Sequence, residues 1–169
     1  MSPHDPTSAD ESAVKSKYLI FSLCRELYGV PLLQIREVIK FPSIKPVPHS
    51  QRAMRGVINL RGQILSVIDL RMRFDLRGFS ENTGFVLIVE TQGGTQMGAV
   101  VDSIEYVREI LPDRIDAQVS IDTQIPKEQF LGVARSGDEL IHLINLSAIL
   151  TPVGRAGESS EQNGEVVAA

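Results

Sequence analysis

A chain of 169 residues, 43% hydrophobic and 22% charged, is sized and composed for one globular domain or two very small ones. No apolar run approaches the roughly 18–20 residues of a membrane span, and a single cysteine, Cys24, excludes an intrachain disulfide framework. The formal net charge of −4 is too mild to select a partner class.

The N-terminal residues lack the basic start and apolar stretch of a secretion signal, so a cytoplasmic location is expected, with no insertion into a membrane. The charge is unevenly spread. Residues 25–77 hold ten Lys/Arg against four Asp/Glu, and residues 81–139 hold four against eleven. This is either ordinary surface composition, two faces for two partners, or two segments that attract each other.

Residues 1–16 are polar, with Pro3, Pro6 and several Ser and Asp, and read as a disordered tail. Residues 151–169 read the same way, which leaves 17–150 as the folded part. Residues 18–23 are apolar at nearly every position, as in a strand, followed by a turn at 24–27 and a short return strand at 28–30. Leu32, Ile35, Val38 and Ile39 are spaced three and four apart, which predicts a short helix or helical turn burying one face. Pro42, Pro46 and Pro48 confine residues 44–47 to an edge strand or an extended connection. One helical turn is expected over 51–54.

The richest core element is the stretch from Gly56 to Leu70, in which eight of fifteen residues are large aliphatics. Two apolar runs, 57–60 and 64–68, flank Arg61-Gly62-Gln63. Val57, Ile58, Ile64, Val67 and Ile68 favour strands because a branched Cβ packs well on a pleated surface. Gly62 supplies the positive φ of a tight hairpin, with Arg61 at its tip. Asp69 is placed to cap a short helix over 70–74. A second hairpin, 85–90 with 96–101, turns at Gly93-Gly94. A strand follows over 103–110, residues 112–127 read as loop, and a third hairpin spans 131–144 across Ser136-Gly137-Asp138. Asn145 is placed to cap a last helical turn through Leu150. Short strands with a turn signal every ten residues or so predict an all-β chain. The period fits two five-stranded barrels and one larger sandwich equally.

Catalytic groups are sparse. His4, His49 and His142 lie far apart in sequence, and no HExxH, paired cysteines, P-loop or GxGxxG appears. Cys24 lacks a histidine partner in the sequence, so a reactive thiol is disfavoured. A small β-barrel that binds nucleic acid is an alternative. Aromatic content of 5% without tryptophan and a negative net charge argue against it, since single strands are held on stacking platforms in basic grooves. What remains is a compact β scaffold read as a binding module, with an enzyme whose site is assembled from dispersed residues left open as another class.

The spaced set of motifs resembles the CheW family of bacterial chemotaxis coupling proteins. It comprises Gly56-Val57-Ile58-Asn59-Leu60-Arg61-Gly62, then Ile64 and Val67-Ile68-Asp69-Leu70-Arg71. Tyr28-Gly29-Val30, Ile35-Arg36-Glu37-Val38, Gly98-Ala99-Val100-Val101-Asp102, Leu131-Gly132 and residues 140–150 agree with it. The likeness covers roughly 18–150. Ser66 stands where the family often has proline, which leaves the strand paired but softer.

The resemblance implies two small SH3-like five-stranded β-barrels on a shared apolar core, with short helical turns. It implies an adaptor without enzymatic activity, with no cofactor or metal, that bridges the cytoplasmic tip of a methyl-accepting chemoreceptor to the regulatory domain of the histidine kinase CheA. Further copies of the coupling protein are expected as partners in arrays at the inner face of the membrane. A like adaptor in a signalling pathway other than chemotaxis is the second alternative. Ile35, Glu37, Arg61 and Val86 match positions implicated in receptor or kinase contact, and Gly56, Gly62 and Gly98 match structural glycines, expected at turns. Glu37 and Arg61 then read either as a surface ion pair or as a polar pair beside a groove for a partner helix.

Overall fold

The computed structural model describes residues 16–119 and 125–151. The expected disordered tails lie outside the described residues except at Ser16 and Thr151.

Eleven described strands form two sheets. In chain order they are β1 (Lys17–Leu23), β2 (Glu26–Pro31), β3 (Ile35–Lys40), β4 (Met54–Leu60), β5 (Gln63–Asp69), β6 (Phe85–Glu90), β7 (Gln96–Val101), β8 (Ser103–Glu109), β9 (Ile115–Asp116), β10 (Phe130–Ser136) and β11 (Glu139–Ile144). Two short helices accompany them, α1 (Leu70–Arg73) and α2 (Leu146–Leu150). The six-stranded sheet runs β8-β1-β2-β11-β10-β9 and the five-stranded sheet β3-β6-β7-β5-β4. The chain starts one sheet, builds the other, and returns to finish the first. The β2–β11 and β5–β7 pairings are parallel and the rest antiparallel.

Strand periodicity explains why β1 and β6 are apolar on successive positions. Leu19, Phe21 and Leu23 face a core shared between the sheets, with Leu87, Val89, Ala99 and Val101 from the other side. Tyr18 and Ile20, on the opposite face of β1, fill the interior of the six-stranded sheet with Ile141 and Leu143. Val86 and Ile88 fill the interior of the five-stranded sheet with Ile58, Leu65, Val67 and Val100. Side chains alternate across a strand, so a strand buried on both faces reads as a continuous apolar run. Two sheets, each with its own core and a third core between them, make the two SH3-like units on a shared core. Burial of each large aliphatic stabilises this arrangement by roughly 1.5–3 kcal/mol, opposed by chain entropy of about 1–2 kcal/mol per residue.

The local features follow the sequence closely. Asp69 caps α1 by accepting from the Arg71 N–H at 3.0 Å. Asn145 caps α2 by accepting from the Ala148 N–H at 3.2 Å. The third hairpin turns at Gly137 and Asp138, with Gly137 at φ +62°. Lys45 pairs with Val57 through two hydrogen bonds of 2.9 Å, which makes the proline-rich segment the extended connection expected of it.

Three expectations need correction. The segment 32–39 is not a helix: only Leu32–Gln34 forms a 3-10 turn, and β3 begins at Ile35. A register shift between Ile35 and Glu37 inserts one residue into β3, and that bulge makes a strand imitate three-four spacing. β-Branched Ile35, Val38 and Ile39 pair with β6 instead. Residues 51–54 close a single turn through the Met54 N–H and the Gln51 carbonyl, without a helix. The expected loop 112–127 contains a 3-10 turn and β9, and Ile125 is buried in the shared core.

The oppositely charged segments do not coincide with the two sheets, since the change of sign falls inside the five-stranded one. They do meet: Arg36 pairs with Glu90, Arg55 with Glu81 at 3.8 Å, and Arg71 with Asp102 at 2.7 Å.

Candidate functional site

The β4–β5 hairpin turns through two residues, because Leu60 pairs with Gln63. Arg61 has φ +51° and Gly62 φ +84°. Two consecutive left-handed residues make the tight hairpin turn whose twist matches that of the flanking strands. The Gly62 N–H donates to Asn59 Oδ1 at 2.8 Å, which locks the turn from within. No atom lies within 4 Å of a Cβ built on Gly62, so the glycine is required by its backbone angle and not by crowding.

This turn holds Arg61 at the rim of the five-stranded sheet with its side chain 72% exposed. Its guanidinium reaches Glu37 of β3 in a two-pronged pair. Nη1 donates to Oε1 at 3.0 Å and Nη2 donates to Oε2. The hydrogen bonds from Arg61 hold the Glu37 carboxyl below its ordinary range, and the same pairing raises the guanidinium. β3 and β4 are opposite edges of the sheet, so the pair ties the tip of one edge hairpin to the other edge strand. The same elements expose apolar side chains, Ile64 on β5 at 63% and Val38 on β3. Ile35 opens β3 and packs against the shared core.

The structure therefore brings Glu37 and Arg61 together at one rim, while Ile35, across the bulge in β3, packs against the shared core. Val86 is elsewhere. It is fully buried, opposite Ile39 in the β3–β6 ladder, and its Cγ1 would lie 2.7 Å from a Cβ on Gly98. Its side chain acts on the packing beneath β3 and presents no surface. Of the three glycines only Gly62 lies at a turn. Gly98 lies within β7 against Val86 and Val67. Gly56 sits at a register shift in β4 with φ +140°, where a Cβ would come within 2.1 Å of the Lys45 carbonyl oxygen.

One group went unassigned by sequence reasoning. Arg71 is fully buried. Nε and Nη2 donate to the two oxygens of Asp69 at 2.9 and 2.8 Å, and Nη1 donates to Asp102 Oδ1 at 2.7 Å and to the Ser80 carbonyl at 3.2 Å. The Phe79 ring covers the guanidinium carbon at 4.4 Å. The visible signal was an arginine two residues after a capping aspartate, in a helix whose Leu70 belongs to the core.

Among the described residues, two clefts are prominent on the surface. One, of about 600 Å³, is lined in part by Phe41, Ile44, Met54, Arg55 and Asn82. The other, of about 930 Å³, lies beside Ile110, Leu111, Val133, Leu140 and His142. The first lining offers Ser43 without a histidine or carboxylate, and the second offers His142 and carboxylates without a serine, threonine or cysteine. His142 lies against the Tyr28 ring, 5.2 Å between centroids, and burial pushes its pKa down. Among the described residues no three His, Cys, Asp or Glu are grouped to hold a metal ion, and no helix is long and apolar enough to cross a membrane. The exposed pair and its neighbours are suited to recognition of another macromolecule.

The chain is 28% identical over 138 residues to chemotaxis protein CheW of Klebsiella aerogenes, across 82% of this chain and 83% of that protein. It is 28% identical over 138 residues to chemotaxis protein CheW of Treponema pallidum, across 78% and 79%. The crystal structure of the scaffolding protein TtCheW from Thermoanaerobacter tengcongensis superposes with a TM-score of 0.73 at 32% identity, covering 92% of this chain and 96% of that one. Residues 17–153 match the model of the CheW-like domain, and the chain belongs to that family of chemotaxis scaffold proteins.

Proposed function

We propose that the protein is a non-enzymatic adaptor that couples the cytoplasmic tip of a chemoreceptor to the regulatory domain of the kinase CheA, working at receptor arrays on the inner face of the membrane. The observation that carries this reading is the Glu37–Arg61 pair. A mostly exposed arginine stands on a left-handed turn, locked by Asn59 and held by a carboxylate from the opposite edge strand, in the motif that resembles the family's contact surface. A flexible arginine on a surface loses rotamer freedom when it binds, and one already held in place loses less. Ile35 contributes from the start of β3, and Val86 supports that strand from inside through its pairing with Ile39.

The kinase and further copies of the adaptor bind other faces of the same rigid body. The test is binding of the purified chain to a receptor signalling-tip fragment and, separately, to a CheA regulatory domain, by calorimetry. Micromolar or tighter binding to both is expected. Binding to neither overturns the proposal.

A further inference from the structure

We propose that the Arg71–Asp102 pair is an orientation clasp that fixes how one sheet unit sits on the other, and that Asp102 and Arg71 are positioning residues for coupling. The inference rests on the adaptor reading above for its functional consequence but not for its structural one.

Asp102 is the single residue between β7, in the five-stranded sheet, and β8, in the six-stranded one. The chain crosses between the units at this residue. Its Oδ1 accepts from Arg71 Nη1 at 2.7 Å, and its Oδ2 accepts from the Cys24 N–H at 2.6 Å. Cys24 opens the two-residue β1–β2 turn of the other sheet, with φ +48°. One carboxylate therefore links α1 of one unit to a hairpin turn of the other. Two more bonds secure the same point: the Asp102 N–H donates to the Ser22 carbonyl at 3.0 Å, and the Ser22 and Ser103 hydroxyls lie 2.6 Å apart.

The chemistry separates orientation from cohesion. The shared core is apolar, and apolar burial is non-directional, so it holds the units together without selecting one angle. A guanidinium is planar with donors in fixed directions. With Nε and Nη2 donating to Asp69, the plane of the guanidinium is fixed, and Nη1 divides its two N–H groups between the Ser80 carbonyl and Asp102, so Asp102 must lie along one of those two directions. Buried ionic groups are poor stabilisers compared with apolar replacements, and their best-attested use is to specify one arrangement among several. An adaptor with partners on different faces transmits a signal only if the angle between those faces is set.

The test uses Asp102→Asn, which keeps the size, leaves Arg71 paired with Asp69, and supplies one carbonyl oxygen where two acceptors stood. Spin labels go on Lys40→Cys of β3 and Leu140→Cys of β11, both exposed and on different sheets, in a Cys24→Ser background. The parent is expected to give one narrow distance distribution by pulsed electron resonance, and Asp102→Asn one at least twice as wide. Affinity for each isolated partner should change less than about threefold while receptor-dependent kinase activation drops at least fivefold. An unchanged distance distribution in folded Asp102→Asn overturns the clasp. If the variant fails to fold, hydrogen exchange in the native chain decides: the Cys24 amide should be protected like the amides of β1, and exchange at the rate of an open turn overturns the proposal. Absence of partner binding by the parent would sink the adaptor reading alone, because the distance and exchange measurements need no partner.

Discussion

Arg61 and Glu37 are 24 residues apart in sequence and meet across the two edges of one sheet, the arginine on a hairpin tip and the glutamate on the strand farthest from it in the sheet order. Neither residue is needed to fill a core. Their pairing presents a fixed guanidinium at a rim, and it can be dissected without disturbing the interior.

Arg61→Ala should leave the unfolding midpoint within experimental error and weaken receptor-tip binding by about tenfold, the loss typical of a well-placed interfacial arginine. A Glu37→Arg, Arg61→Glu double exchange separates two roles. Recovery of affinity in the exchange would mean that the residues act mainly on each other. Loss in both single variants and the exchange, read by calorimetry, is the outcome expected for direct partner contact.

Gly62 and Gly56 should respond differently to alanine. Gly62→Ala meets no steric obstacle and costs about 1–2 kcal/mol for a left-handed non-glycine residue. Gly56→Ala drives a Cβ into the Lys45 carbonyl as well, so it should be the more damaging by urea denaturation. Equal costs would mean that residues 45–46 move aside freely.

Val86→Ala opens a cavity in the interior of the five-stranded sheet and should lower stability by about 2 kcal/mol. Partner affinity per folded molecule should stay within about threefold, since the side chain is fully buried. A large loss of affinity in a variant with unchanged stability would give Val86 a direct role.

Arg71→Met removes the counter-charge from the buried Asp69 and from Asp102, and should destabilise by about 3–5 kcal/mol in chemical denaturation. Arg71→Lys keeps the charge but not the fork, and should recover only part of that loss. Full recovery with lysine would show that charge alone suffices.

Stability should fall on the acid side through His142. Burial holds the folded imidazole below its ordinary value of 6.5, with Glu26 opposing. The unfolded chain therefore takes up this proton at higher pH than the folded one. Above 6.5 the two states bind equally and the contribution is absent. Below it the unfolded state gains, until the folded imidazole also protonates. Urea midpoints followed between about pH 8 and 5 should decline less steeply in His142→Gln. An identical decline would place the acid sensitivity elsewhere.

Much of this was legible in the residues because it is local. Gly62 after Arg61, Asp69 before Leu70 and Asn145 before Leu146 specify turns and caps through their own backbone angles and short side chains, with partners three residues away or fewer. The branched residues of β4, β5 and β6 declare strands whatever surrounds them. The spaced motifs carried the family and the candidate pair Glu37 and Arg61. The tertiary structure alone decided the rest. β3 is a strand because β6 offers it a ladder and a bulge absorbs the mismatched spacing. Val86 turns inward because alternation along β6 assigns it to the inner core and Leu87 to the shared one. Arg71 meets Asp102 from 31 residues away only because the chain crosses between sheets at that aspartate. A backbone preference is written in one residue and its neighbours. Which side chain meets which across two sheets depends on register and on the order of strands, and no single segment contains either.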